Sequence, residues 1–119
     1  MKVLVITASL NQRSGWGRYG RAVIEELTRV GHDVRVMSED SSEAPFPIFR
    51  LDRLGSRISL VTLIGNMLRV RRQAKDVEIV HALDGWPYGV YGGAAVMGTK
   101  KRLLINGVGS YAVAPLYAR

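Results

Sequence analysis

Lys2-Val3-Leu4-Val5-Ile6-Thr7, then Ala8-Ser9-Leu10-Asn11-Gln12-Arg13-Ser14, then Gly15-Trp16-Gly17-Arg18-Tyr19-Gly20 is the stretch on which the fold turns. The first run is continuously apolar, as in a strand buried on both faces. The second is polar and reads as a loop. The third is glycine-rich and leads into a helical pattern. A helix start offers unpaired N–H groups and a partial positive charge. Glycines let backbone approach a ligand closely, so strand, loop and helix start together make a place for a phosphate.

Working outward, strands and helices alternate. The helix is expected over 17–30, with Tyr19, Val23, Leu27 and Val30 as its apolar stripe. Arg21, Glu25 and Arg29, spaced by four, are expected to pair on its exposed side. Gly31 reads as a left-handed helix stop. Asp33–Met37 reads as a strand. Pro45 and Pro47 lie in a Ser/Glu-rich stretch, so 39–57 is expected to be an exposed irregular loop. A second helix is expected over 58–75, with Leu60, Ile64, Met67 and Leu68 on one side and arginines at its C-terminal end. Val77–Val80 is expected as a strand, Tyr88–Met97 as a helix rich in small residues, and Arg102–Asn106 as a fourth strand.

Strands separated by helices imply parallel pairing and right-handed crossovers. The expected fold is therefore α/β, a Rossmann-like parallel sheet with helices on both faces, in one domain over residues 1–119. Ligands of such sheets bind beyond the carboxyl ends of the strands, where strand order reverses. The loops at 8–17, 81–86 and 107–111 should gather there. An open sheet ended at the fourth strand would leave an edge unpaired, so the chain is expected to be part of a larger domain.

Composition narrows the function classes. The chain has 119 residues, no cysteine and a formal net charge of +7. A disulfide framework, a thiolate metal site and a cysteine nucleophile are excluded. No apolar run is as long as a membrane span, and the N-terminus lacks a signal-peptide pattern. Residues 1–52 hold seven Lys/Arg and seven Asp/Glu, whereas residues 53–119 hold ten and three, so the excess charge lies wholly in the second half. Arg69, Arg71, Arg72 and Lys75 form one cluster, and Lys100, Lys101 and Arg102 another. Each is either a solvated face, a surface covered by a partner segment, or a site for an anionic partner: a membrane surface, a nucleotide or a nucleic acid. No aromatic-rich basic motif of an RNA-binding module is present, and no nucleic-acid partner is expected.

Gly15, Gly17 and Gly20 satisfy G-x-G-x-x-G, and Glu39 after the second strand could hold a ribose. That suggests a dinucleotide-binding (NAD-type) domain of an oxidoreductase or epimerase. In that fingerprint, however, the first glycine follows the strand almost directly, and here Ala8–Ser14 intervene. A second resemblance covers more of the chain. Asn11 to Asp33, with Gly15-Trp16-Gly17-Arg18-Tyr19, Leu27, Gly31-His32 and Val34, resembles the opening of family 4 glycosyltransferases of the GT-B fold. Asp76-Val77-Glu78-Ile79-Val80-His81-Ala82 resembles that family's strand ending in Asp-Val-Val-His-Ala-His. Leu104 to Leu116, with Gly109-Ser110-Tyr111-Ala112-Val113, resembles its His-Gly-Thr segment.

That resemblance implies the incomplete, acceptor-side N-terminal half of a GT-B fold. The whole enzyme would be a retaining glycosyltransferase that moves sugar from a nucleotide-sugar donor to a sugar or lipid-linked acceptor. The nucleotide sugar is a co-substrate; no cofactor or metal is implied. The C-terminal donor domain, with its paired glutamates, is absent, so this chain alone is expected to be inactive. A cytoplasmic location, peripheral to the inner face of the membrane, goes with this reading. Leu83 stands where a second histidine often follows, and Val108 where the histidine of His-Gly-Thr lies; both changes remove polar groups near the cleft.

The candidate site residues follow from both lines. Gly15, Gly17 and Arg18 either meet a phosphate or form a plain helix start with an exposed arginine. Trp16 either stacks on a sugar ring or anchors the loop. Tyr19 belongs with the helix stripe. His81 and Asp84 are the candidate catalytic pair, with His81 either binding acceptor hydroxyls or serving as a hydrogen-bonded core histidine. Asp84 either orients it or caps the next helix. Gly109, Ser110 and Tyr111 complete the expected acceptor or phosphate contacts. His32, after a helix-ending glycine, reads as structural. A third class, a non-enzymatic basic module on a membrane surface, rests on charge alone.

Overall fold

The computed structural model describes residues 1–8, 10, 15–39, 48–52, 60–83 and 87–105. Among these residues, five strands lie in one all-parallel sheet: β1 (Lys2–Thr7), β2 (Asp33–Ser38), β3 (Ile48–Arg50), β4 (Ile79–Ala82) and β5 (Arg102–Ile105). Three helices connect them: α1 (Gly15–Arg29), α2 (Leu60–Gln73) and α3 (Tyr88–Val96). The sheet order is β3-β2-β1-β4-β5. The expected Rossmann-like α/β architecture is what forms.

The central strand shows why. Residues 3–7 of β1 are all buried, and alternation divides them between two cores. Val3 and Val5 meet Ile24 of α1, with Leu10, Val36 and Leu83. Leu4 and Ile6 lie in the other core, with Val70 of α2 and Tyr91 and Ala95 of α3. Helices thus cover both faces, α1 on one and α2 with α3 on the other.

Several boundaries and faces differ from the sequence expectation. α1 begins two residues earlier than expected, at Gly15. The buried line on α1 is Gly17, Gly20, Arg21 and Ile24, while Tyr19 and Val30 of the expected stripe are exposed. Gly20 is where helix and loop meet, since a Cβ there would stand 2.9 Å from Leu10 Cδ2. Arg21, expected on the outer face, is buried and donates its Nε–H to the Leu10 carbonyl. Arg29 instead pairs with Glu26, one helical turn back. The stop at Gly31 forms as expected, with φ +97° and His32 N–H bonded to the Leu27 carbonyl at 3.1 Å.

The stretch expected to be a loop contains β3, and Leu51 just beyond it is fully buried. Its three residues pair with Val36, Met37 and Ser38, so tertiary pairing makes a strand too short for sequence periodicity to reveal. β4 begins two residues later than expected. Val77 N–H closes the turn after α2 on the Ala74 carbonyl, and the ladder to Val3 starts at Ile79.

The largest correction concerns α2. Of the apolar side expected from sequence, Leu60, Ile64 and Leu68 are 66%, 47% and 61% exposed, and Met67 packs against the core. The inner face carries Leu63, Asn66, Met67 and Val70 instead. Asn66 is fully buried: its Nδ2 donates to the Asp52 carbonyl (2.7 Å) and the Tyr91 hydroxyl (3.0 Å), and its Oδ1 accepts from Asp52 N–H (2.9 Å). A polar residue at a core position is tolerated when each group finds a partner.

Candidate functional site

The carboxyl edge of the sheet is where the connections diverge. From β1 the chain runs through α1 to β2 on one side. From β4 it runs through α3 to β5 on the other. The order reverses between β1 and β4, the position where open parallel sheets take ligands. The N-termini of α1 and α3 flank this point from opposite faces. Neither helix has an acidic residue in its first turn. Their N–H groups and dipoles therefore present positive potential without a carboxylate of the helix to quench it.

Beneath α1, Thr7 ends β1. Its side chain is fully buried, and its Oγ1 has no hydrogen-bond partner among the described residues. It lies 3.7 Å from where a Cβ on Gly20 would stand, hence under the second turn of α1. Ser38 at the end of β2 donates to the Ala8 carbonyl at 3.2 Å and ties the two strand ends together. Leu83 N–H bonds to the Ile6 carbonyl at 2.9 Å and carries the β4 chain across the same edge.

Beside the switch point, past β2 and β3, a cleft of about 510 Å³ is lined by Glu39, Arg50, Leu51 and Asp52. Tyr88, the first residue of α3, donates its hydroxyl to Glu39 Oε1 at 3.1 Å. Tyr88 also packs edge-on against Tyr91, which fixes its ring. Asp52 is held through its backbone by Asn66 and through its carboxylate by Arg69 at 2.8 Å. Burial raises the Tyr91 phenol above its ordinary range, so it stays neutral beside Asn66. The cleft thus has two carboxylates that accept hydrogen bonds and a guanidinium that donates them, which suits a ligand rich in hydroxyls.

The sequence-derived candidates distribute as follows. Gly15, Trp16, Gly17 and Arg18 form the first turn of α1, and Arg18 is exposed. Arg18 lines a shallow hollow with Arg21, Ala22 and Glu25 along that helix. His81 is the third residue of β4, paired in register between Val5 and Leu104, and half-buried. Alternation places it with Ile79 on the α1 face of the sheet rather than at the strand tip. Asp84, Gly109, Ser110 and Tyr111 lie outside the described residues, as do Trp86 and Val108. Glu39, read from sequence as a ribose binder, stands just past β2 at the carboxyl edge. His32 sits at the opposite edge, its Nδ1 facing the N-terminal ammonium at 3.4 Å.

Arg50 and Asp52 escaped the sequence reading, since they fell in the stretch taken as a loop. The signal was Ile48-Phe49-Arg50-Leu51, an apolar-rich run after Pro47. Among the described residues no group of three His, Asp or Glu is placed to hold a metal ion. Comparison of the chain with protein-family models, curated proteins and solved structures finds no match.

Proposed function

We propose that this chain is the acceptor-side, N-terminal part of a retaining GT-B glycosyltransferase, with the donor-binding domain supplied by other sequence. The observation that carries the reading is the gathering of two different chemistries at one sheet edge. The acid-free start of α1 suits the diphosphate of a nucleotide sugar. The neighbouring cleft of Glu39, Arg50 and Asp52 suits the hydroxyls of a sugar or lipid-linked acceptor. During transfer the bond from the sugar's anomeric carbon to the diphosphate breaks, and the acceptor oxygen takes its place at that carbon. The acceptor's proton leaves with a phosphate oxygen. This chain's share is to hold the acceptor, with Glu39 and Asp52 accepting its O–H groups, and to meet the leaving diphosphate at α1 and Arg18. The exposed Leu104 and Ile105 of edge strand β5 are what a larger domain would cover.

One observation favours the dinucleotide reading: Glu39 stands past β2, where an acidic residue takes a ribose diol. Titration calorimetry and amide-shift mapping on the 119-residue chain separate the two. We expect weak binding of UDP-glucose or GDP-mannose, with shifts at Thr7, Gly17 and Arg18, and no binding of NAD or NADP. Micromolar NAD binding that disappears in Glu39→Ala would overturn the glycosyltransferase reading.

A further inference from the structure

We infer that the outer face of α2 is a docking surface for an anionic lipid bilayer. Leu60, Val61, Ile64 and Leu68 are 66%, 83%, 47% and 61% exposed. They fall on one side of the helix, since positions 60, 64 and 68 follow at intervals of four. The same side then turns basic. Arg72 follows Leu68 by four residues, and Arg71 and Lys75 follow Ile64 and Leu68 by seven. All three cations are exposed, and no acidic residue occurs between Leu60 and Lys75. Arg71 donates to the Ala94 and Met97 carbonyls at 2.8 and 3.2 Å, which joins the helix to the end of α3. Met97, 71% exposed, and the exposed Lys100 extend the surface there.

Among the described residues, the inner side of α2 packs into the core, and Leu60, Val61, Ile64 and Leu68 belong to neither core cluster. An apolar row beside a basic end is the pattern of a helix lying in the headgroup region, with side chains in the acyl boundary and cations on lipid phosphates. The acidic residue nearest the basic end, Asp76, is already held by Arg35 at 2.7 Å and Lys2 at 3.5 Å. A second copy of the chain fits less well, because it would bring another +7 against the first. The reaction proposed above is not an assumption of this argument.

The test is vesicle co-sedimentation with pure phosphatidylcholine and with equal parts phosphatidylcholine and phosphatidylglycerol. Wild type should bind the anionic vesicles, and salt should release it. The charge-preserving triple variant Leu60→Ser, Ile64→Ser, Leu68→Ser should lose most binding while its circular dichroism stays native. Arg72→Gln with Lys75→Gln should weaken partitioning on the order of 30-fold. Glu39→Ala should bind as wild type, which keeps this surface separate from the cleft. Failure of wild type to bind, or full binding by the triple variant, would overturn the inference. So would sedimentation equilibrium showing a dimer that the triple variant abolishes.

Discussion

Replacing Asn66 by alanine tests the inner face of α2 directly. The wild-type side chain makes three hydrogen bonds, two to the backbone of Asp52 and one to the Tyr91 hydroxyl. Each contributes about 0.5–1.5 kcal/mol net, and partners left buried without replacement add to the loss. The expected destabilisation is about 2–4 kcal/mol, a large share of the roughly 5–15 kcal/mol typical of a domain. Tyr91→Phe removes one acceptor and should cost about 1 kcal/mol. The double variant should cost less than the sum, because both changes delete the same bond. Ile64→Ser on the outer face is the contrast. Its side chain is half exposed, and serine and isoleucine have similar helix propensity. It should change stability by less than about 0.5 kcal/mol. Urea unfolding followed by circular dichroism measures all four, provided the m-values agree. Near wild-type stability for Asn66→Ala, together with a loss above about 2 kcal/mol for Ile64→Ser, would mean that the helix is rotated.

Thr7→Val keeps shape and removes the buried, unpaired hydroxyl. It should raise stability by about 1 kcal/mol in thermal melts, and weaken nucleotide-sugar binding if the hydroxyl faces the ligand. Gly31→Ala forces a side chain into φ +97° and should cost about 1 kcal/mol, whereas Gly93→Ala, with nothing within 4 Å of the new Cβ, should gain about 0.5–1 kcal/mol; denaturant midpoints in opposite directions would show it. The hydrogen bonds from Arg35 hold the Asp76 carboxyl at about 2, below its ordinary 3.8. Because the folded value is the lower one, this pair stabilises the fold above about pH 4 and loses its effect as pH falls through about 2. Asp76→Asn should therefore flatten the stability–pH curve in that window and leave the slope at neutral pH unchanged.

The strand–helix–strand order of β1, α1 and β2 was legible because each signal there is local. A two-sided apolar run and a glycine stop with positive φ are properties of consecutive residues. Parallel pairing followed from alternation, whereas the strand order that reverses between β1 and β4 came from the tertiary structure. The chemical candidates at the start of α1 were also visible, since glycine spacing is local. Periodicity could not say which way α2 faces. Leu60, Ile64 and Leu68 make as regular a row as Leu63, Met67 and Val70. Only the docking of the chain at Asp52 and of Tyr91 against Asn66 selects the second row. Likewise three residues cannot announce a strand; β3 exists because β2 offers a free edge, and Arg50 and Asp52 reach the cleft only through that pairing. By itself the sequence determined the α/β class, the parallel pairing and the excess positive charge. Which apolar face is core, which is left outside, and which carboxylates share a cleft were decided by contacts between residues distant along the chain. Such contacts depend on the relative placement of elements, and no pattern within one element encodes it.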